Sequence, residues 1–590
     1  MKRQRKGCII ILIITLLLLI VLIYRYSQSL ILYYKFNSEI CLQTDTIFRG
    51  DKTQNSYIPL EFNETTRLYY LCKIWGFLKY YSEDIYLSSA RLDSMLLATI
   101  PHVLVSQTKQ DYCYILERLI STSQHSEMIK NPYRDLRDYY LIDNNWMNDT
   151  INLNADIKNK LELLFSFHSG KDNKFVFNKS TGNIRIINEI KYPKFPKEEN
   201  VRLLGLFHYW NVINYFYVYK NYIDDNWDKV LYESIPRFRN AKTNRNYRME
   251  IYRLTNRLRD THTSFPVTID IDVFGPYRPN FRMMLINDTF IINKIRIPEY
   301  KKENFQVGDI VLQVDGEDIY QLSDSLSNFV SGGNNWSDQL FLCNAILSRQ
   351  DSTTLFTLLR DKDTLNVRSI NHKVFGMNKR EREKNKENEK QQLYKWINDS
   401  IAYFNLSAAT KSNFNRNYQA VKSASTILLD MRCYPQVDLI LPLTDKFVPS
   451  IPFFAYNVYP DTRFPGMVRY TKSSKKIGSD NYYRGNIIVL VNEWTQSFSE
   501  YAVMALQTNP KTKIIGNYSS GVDGNITTFE FPGRIKTIYS GIGIYYPDFS
   551  QTQRRGVHLD YVVEPTLEYI KKNVDIAYET AVHIAKRGNL

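Results

Sequence analysis

Two places in the chain carry residues whose type and setting could do chemistry. In VLVNEWTQSFSEYAVMALQ (489–507) an apolar strand runs into a short polar turn, and a helix opens at Ser497-Phe498-Ser499-Glu500. A serine hydroxyl at such a junction lies beside backbone N–H groups without helical partners, at the positive end of the helix dipole. The same N–H groups can stabilise the oxyanion of acyl transfer. Ser497 and Glu500 also spell a capping box, so spacing alone leaves a purely structural role open. The second place is RDTHTSF (259–265). Its His262 imidazole can take a hydroxyl proton near neutral pH and return it to a leaving group. An isolated histidine at a helix end can equally be structural. His102, His125, His168, His208, His372, His558 and His583 are scattered and read as structural. The chain has no HExxH helix and no GxxxxGK[ST] loop. Its six cysteines, Cys8, Cys41, Cys72, Cys113, Cys343 and Cys433, form no CxxC pair, which argues against a thiolate metal site. No metal and no organic cofactor is expected.

At 590 residues the chain is too long for one core. Its net charge of +15 is spread along the chain and interleaved with 61 acidic residues. No zinc-finger or RNA-binding spacing accompanies that charge, so no nucleic-acid partner is expected. Lys2, Arg3, Arg5 and Lys6 precede an apolar stretch from Cys8 to Tyr24. That pattern predicts an uncleaved anchor with a cytoplasmic N-terminus and the rest of the chain exported. Two segments, RLYYLCKIWGFLKYY from Arg67 and RLLGLFHYWNVINYF from Arg202, repeat at a shift of 135 residues. Trp75 pairs with Trp210, Tyr80 with Tyr215, Ile100-Pro101 with Ile235-Pro236, and Leu119 with Leu254. These are two related helical units, of which only the second ends in the Asp-Thr-His motif. Residues 268–372 read as short strands, and VGDIVLQVDGEDI resembles the PDZ domains of exported peptidases, which hold peptide tails at a sheet edge. NKREREKNKENEKQQ (378–392) has no apolar face and reads as a solvated linker. Beyond it, Ile401–Leu406, Thr426–Asp430 and Asn486–Asn492 read as strands. Asn417–Ser425 and about Ser499 to Gln507 read as helices, which gives a layered α/β core.

The block around Ser497 is similar to the nucleophile segment of the C-terminal processing (tail-specific) serine peptidases. TILLDMRCYP, KIIGNYSSGVDGN and GIGIYYPDFSQTQRRGVHLDYVVEPT follow the order of that family's other blocks. The resemblance, PDZ-like segment included, covers about residues 200–580. It implies a core of the ClpP/crotonase kind, with Ser497 as nucleophile. Gly521-Val522-Asp523 stands where one branch of the family carries a lysine, so a serine–lysine dyad is not implied. RDTHTSF fits the other branch, typified by tricorn protease, and maps its histidine onto His262. Gln553 occupies the position of that branch's orienting glutamate; it can hydrogen-bond but carries no anion, leaving Asp523 or Asp260 to supply the charge. The oxyanion pair implied is the N–H of Phe498 with that of Cys433 or Tyr434, and Leu559 replaces the usual proline of the closing stretch.

The expected organisation is a multidomain α+β chain. It runs from a cytoplasmic tail and anchor (1–30) through an N-terminal region with the first helical repeat (31–195) to the second repeat with its histidine motif (196–267). A PDZ-like domain (268–374), a charged linker (375–395) and an α/β serine peptidase core (396–590) follow. The expected function is cleavage of exported polypeptides, with recognition of C-terminal tails by the PDZ-like module. The expected location is the bacterial cell envelope, with a single-pass inner-membrane anchor and the catalytic region on the periplasmic side. A catalytically inactive peptide or ligand binder of the same fold, or a PDZ-type scaffold, is the alternative that Gln553 keeps open.

Overall fold

A computed structural model describes residues 60–588, apart from stretches at 83–87, 123–130, 132–141, 297–302, 375–392, 436–438 and 474–475 and positions 269 and 331. The apolar stretch Cys8–Tyr24 and the charged segment 378–392 lie outside the described residues. Among the described residues no helix is long and apolar enough to cross a membrane.

The repeat in the sequence is a repeat in hydrogen bonding. The helices Glu64–Tyr81 and Glu199–Phe216 are both 18 residues long and almost entirely buried. Arg67 donates from Nε to the carbonyl of Val103 and from its terminal nitrogen to that of Leu104. Arg202 makes the same two bonds to Phe238 and Arg239, 135 residues later in each case. Trp75 Nε1 donates to the Leu92 carbonyl and Trp210 Nε1 to that of Trp227, again at one offset. Each arginine thus satisfies carbonyls left open at the end of a neighbouring helix. The two long helices meet where Gly76 faces Asn211, and a Cβ on Gly76 would lie 1.9 Å from the Asn211 side chain. Glycine there lets the backbones close up, and Asn211 Nδ2 donates across to the Cys72 carbonyl.

A second unit is an antiparallel sheet in the order Phe281–Ile286, Thr289–Ile295, Ile310–Val314, Thr353–Arg360, Asp363–Ile370. Helices Ile319–Ser327 and Asn335–Leu347 close its core of Phe281, Phe290, Val311, Val314, Phe356 and Leu358.

The C-terminal core is a six-stranded sheet in the order Tyr394–Asn398, Ile401–Asn405, Thr426–Asp430, Asn486–Val491, Thr512–Gly516, Tyr561–Val562. Only the first pair is antiparallel. Alternate residues face opposite layers, as strand geometry requires. Ile427, Leu429, Ile487, Val489 and Ile514 pack under helices Phe498–Leu506, Ile440–Phe447 and Lys411–Val421. Leu428, Ile488, Leu490 and Ile515 pack against Ala577, Ala581 and Val582 of helix Ile576–Arg587. Both faces are therefore covered, which explains why these strands read as continuous apolar runs. One element differs from its sequence reading: the helix expected over Asn417–Ser425 runs from Lys411 to Val421. Thr410 and Asn413 form a reciprocal capping box that starts it earlier than its apolar residues suggest.

A hairpin, Ile526–Phe531 paired with Ile535–Ser540, joins the core to the helical units. Phe529 and Phe531 pack edge-on or tilted against Tyr209, and Phe529 also meets His208. Those contacts place the last residue of the hairpin, Ser540, against the start of helix Thr261–Thr268, which carries His262.

Candidate active site

The turn before Ser497 is self-bonded. Trp494 N–H donates to the Asn492 side chain, Asn492 N–H to the Thr495 hydroxyl, and that hydroxyl to the Met431 carbonyl. Ser497 follows with φ +50° and ψ −113°, a conformation that L residues rarely hold. Its N–H is pinned by the Val522 carbonyl at 2.7 Å and by Glu500 Oε2 at 3.0 Å. The Glu500 half of the capping box is therefore formed, but this glutamate does more than cap. It is fully buried and accepts the Ser519 hydroxyl at 2.6 Å, Gly521 N–H at 2.9 Å and Val522 N–H at 3.0 Å. Burial pushes its carboxyl up and these bonds pull it back, leaving it at about 7. Glu500 thus stitches the helix start to the loop after strand Thr512–Gly516, a role its sequence position did not reveal.

The loop after Thr426–Asp430 lies over the same helix start. Ser499 Oγ donates to the Cys433 carbonyl at 2.6 Å. The N–H groups of Phe498, Cys433 and Tyr434 donate to no acceptor among the described residues. They are the groups an oxyanion would need. Burial pushes the Cys433 thiol up to about 12, so it stays protonated at neutral pH and is no nucleophile of its own. Tyr434 is 57% exposed, and its phenol makes a polar contact with the half-buried Ser497 hydroxyl.

His262 lies in the first turn of helix Thr261–Thr268 and is buried. Its Nδ1 is 2.9 Å from Ser540 Oγ and 3.5 Å from Asp260 Oδ1. The neighbouring Thr261 hydroxyl donates to the Ser520 carbonyl at 3.0 Å and accepts Gly333 N–H at 2.7 Å. Among the described hydrogen bonds none joins His262 to Ser497. The loop 519–523 is what brings them to one region: its Ser520 carbonyl holds Thr261, and its Val522 carbonyl holds Ser497.

Two other sequence candidates, Gln553 and Asp523, make no hydrogen bond to the histidine. Gln553 is 1% exposed, and neither atom of its side-chain amide has a hydrogen-bond partner among the described residues. Asp523 follows Val522 directly and is buried. Its Oδ1 accepts Gly524 N–H at 2.6 Å and its Oδ2 has no partner among the described residues, while burial and the nearby Glu500 carboxyl push it well above the usual carboxylate range. Neither is hydrogen-bonded to His262. Ser540 and Thr261 were missed by sequence reasoning, because their partners lie 278 and 259 residues away. Among the described residues no group of three or more His, Cys, Asp or Glu could hold a metal ion.

Comparison with known proteins adds a family. Residues 378–563 match peptidase family S41. No curated protein matches. Similar solved structures include mature CPAF complexed with lactacystin, at 13% identity and a TM-score of 0.49, with 65% of this chain and 97% of that one covered. The photosystem II D1 C-terminal processing protease is 14% identical with a TM-score of 0.36, covering 65% of this chain and 99% of that one. A putative S41 protease from Bacteroides fragilis is 12% identical with a TM-score of 0.33, covering 53% of this chain and 83% of that one. The segment that holds Ser497, Glu500 and the loop 519–523 thus lies within the stretch that matches peptidase family S41.

Proposed function

We propose that this chain is a membrane-anchored serine endopeptidase that cleaves exported polypeptides, with Ser497 as nucleophile and His262 as general base. The observation that carries the reading is the setting of Ser497. It is a half-buried serine in a strained conformation at a helix start, beside the open N–H groups of Phe498, Cys433 and Tyr434. Strain of this kind collects at functional sites because the surroundings must be built to hold it.

In this reading Ser497 Oγ attacks the scissile carbonyl and His262 takes its proton. Nδ1 of His262 is engaged by Ser540, so Nε2 is the nitrogen left for that transfer. The contact between Nε2 and Oγ closes on substrate binding, since catalytic hydrogen bonds are often long without substrate. The oxyanion is met by the N–H of Phe498 and one from Cys433 or Tyr434. His262 returns the proton to the leaving amine, and water releases the acyl group by the reverse sequence. The substrate enters as an extended strand, its C-terminal tail held by the unit at 277–374, read as PDZ-like. The apolar stretch Cys8–Tyr24 anchors the chain in a bacterial inner membrane, with the catalytic region on the periplasmic side.

The test is labelling of the full chain with a serine-reactive fluorophosphonate. We expect labelling of the wild type, and its loss in Ser497→Ala and in His262→Ala. If folded wild type stays unlabelled with and without polypeptide substrates, the reading fails in favour of a binding protein, the alternative that Gln553 represents.

A further inference from the structure

We propose that Asp260, directly and through the Ser540 hydroxyl, orients His262 and balances the charge of its protonated form, so that the position filled by Gln553 has no part in the proton relay. This rests on the reading of His262 as the base.

The geometry runs as a chain of donors into one carboxylate. Asp260 Oδ1 accepts the Ser540 hydroxyl at 3.1 Å and the backbone N–H of His262 at 3.0 Å, and lies 3.5 Å from the imidazole Nδ1. Its Oδ2 accepts Ser540 N–H at 2.7 Å and the Tyr217 hydroxyl at 3.2 Å. With the Ser540 hydroxyl proton committed to Asp260, its oxygen is an acceptor and must receive the proton on His262 Nδ1. That places the imidazole proton on Nδ1 and the lone pair on Nε2, the tautomer a general base needs. Asp260 is fully buried and His262 nearly so, so the anion acts on the imidazole with little solvent between them. Burial alone would raise the Asp260 carboxyl, but the bonds from His262 and Ser540 hold it below its ordinary value, and it is an anion at neutral pH.

Gln553 offers neither part of this. An amide carries no charge, and both of its polar atoms are buried without partners among the described residues. Asp523 makes no hydrogen bond to His262 or to Ser540; its Oδ1 accepts the Gly524 N–H at 2.6 Å. The acid therefore comes from the residue two before the histidine, fixed by a serine delivered from the hairpin 526–540.

The experiment compares Asp260→Asn, Ser540→Ala, Ser540→Thr and Gln553→Met in the full chain, by the rate of fluorophosphonate labelling. The tautomer of His262 is read by ¹⁵N-histidine NMR, its signal assigned by subtraction with His262→Gln. We expect Asp260→Asn to slow labelling by about 10³–10⁴-fold, the scale seen when the acid of a serine triad is replaced by its amide. Ser540→Ala should cost about 10–100-fold, as for loss of a supporting hydrogen bond, and Ser540→Thr should recover to within a few-fold. Gln553→Met should stay within a few-fold of wild type. The wild-type spectrum should show the proton on Nδ1, moving to Nε2 in Asp260→Asn. Labelling that survives in Asp260→Asn and Ser540→Ala but fails in Gln553→Met would overturn the assignment, as would a wild-type proton on Nε2. Labelling that depends on Ser497 and His262 but not on Asp260 would sink this inference and leave the peptidase reading intact. An unlabelled wild type whose tautomer still depends on Asp260 would sink the peptidase reading, and the proton relay with it, leaving only the orientation of His262 by Asp260.

Discussion

Replacing Ser497 with glycine should leave a more stable protein than replacing it with alanine. At φ +50° and ψ −113° a residue with a Cβ sits outside its comfortable regions, at a cost of about 1–3 kcal/mol. The bonds from Ser497 N–H to the Val522 carbonyl and to Glu500 hold the backbone there whatever the side chain. Alanine keeps the Cβ and so keeps the strain. Glycine removes it but gives up about 0.5–1 kcal/mol to the freer unfolded chain. Both variants lose the hydroxyl and its contact with Tyr434, so those terms cancel in the comparison. The difference should be about 1 kcal/mol in favour of glycine. For a unit the size of the C-terminal core this corresponds to about 2–4 °C in Tm. Thermal unfolding of both full-length variants, followed through the core transition, provides the measurement, and neither variant should label with fluorophosphonate. If the glycine variant melts at or below the alanine variant, the backbone at Ser497 is unstrained and the reasoning fails.

Two further outcomes follow from buried acids. Burial pushes Asp93 up to about 6, with Lys79 opposing that shift and Glu189 adding to it. A carboxyl raised on folding contributes stability that is complete below its unfolded value near 4 and is lost as pH rises through about 6. That is about 3 kcal/mol across the window, so Asp93→Asn should flatten the fall in Tm between pH 4 and pH 7, and an unchanged slope would rule this out. Glu500→Ala should strip the acceptor from Gly521 and Val522 N–H, at about 1–3 kcal/mol each, and abolish labelling. A Tm within a degree of wild type, with labelling kept, would show that the loop 519–523 does not depend on this carboxylate.

Much of the fold could be read from residues near one another in the chain. The 135-residue repeat was legible because both copies need the same helix-packing residues, and Arg67 and Arg202 make matching bonds. The strands Thr426–Asp430 and Asn486–Val491 were legible because burial on both faces leaves an unbroken apolar run. The helix Lys411–Val421 was misplaced because its start is set by a cap, Thr410 with Asn413, and not by apolar spacing. Ser497 could be singled out because a strand, a turn and a helix start leave N–H groups open within a dozen residues. Gln553 could be placed in line with a family position, but not surrounded: its side chain is buried without a hydrogen-bond partner among the described residues.

What the sequence determined by itself, then, was local: the helix start at Ser497, the Asp-Thr-His motif, the helical duplication and the apolar strands. Each follows from backbone geometry and burial acting over a few turns or a few strand residues. Only the tertiary structure decided which polar groups meet. Thr261 bonds to Ser520 and His262 to Ser540, pairs separated by 259 and 278 residues, because the aromatic packing of the hairpin 526–540 on the helical units brings them together. Hydrogen bonds demand positions good to a fraction of an ångström. Residue types along a chain do not carry that precision; the packing of the units does.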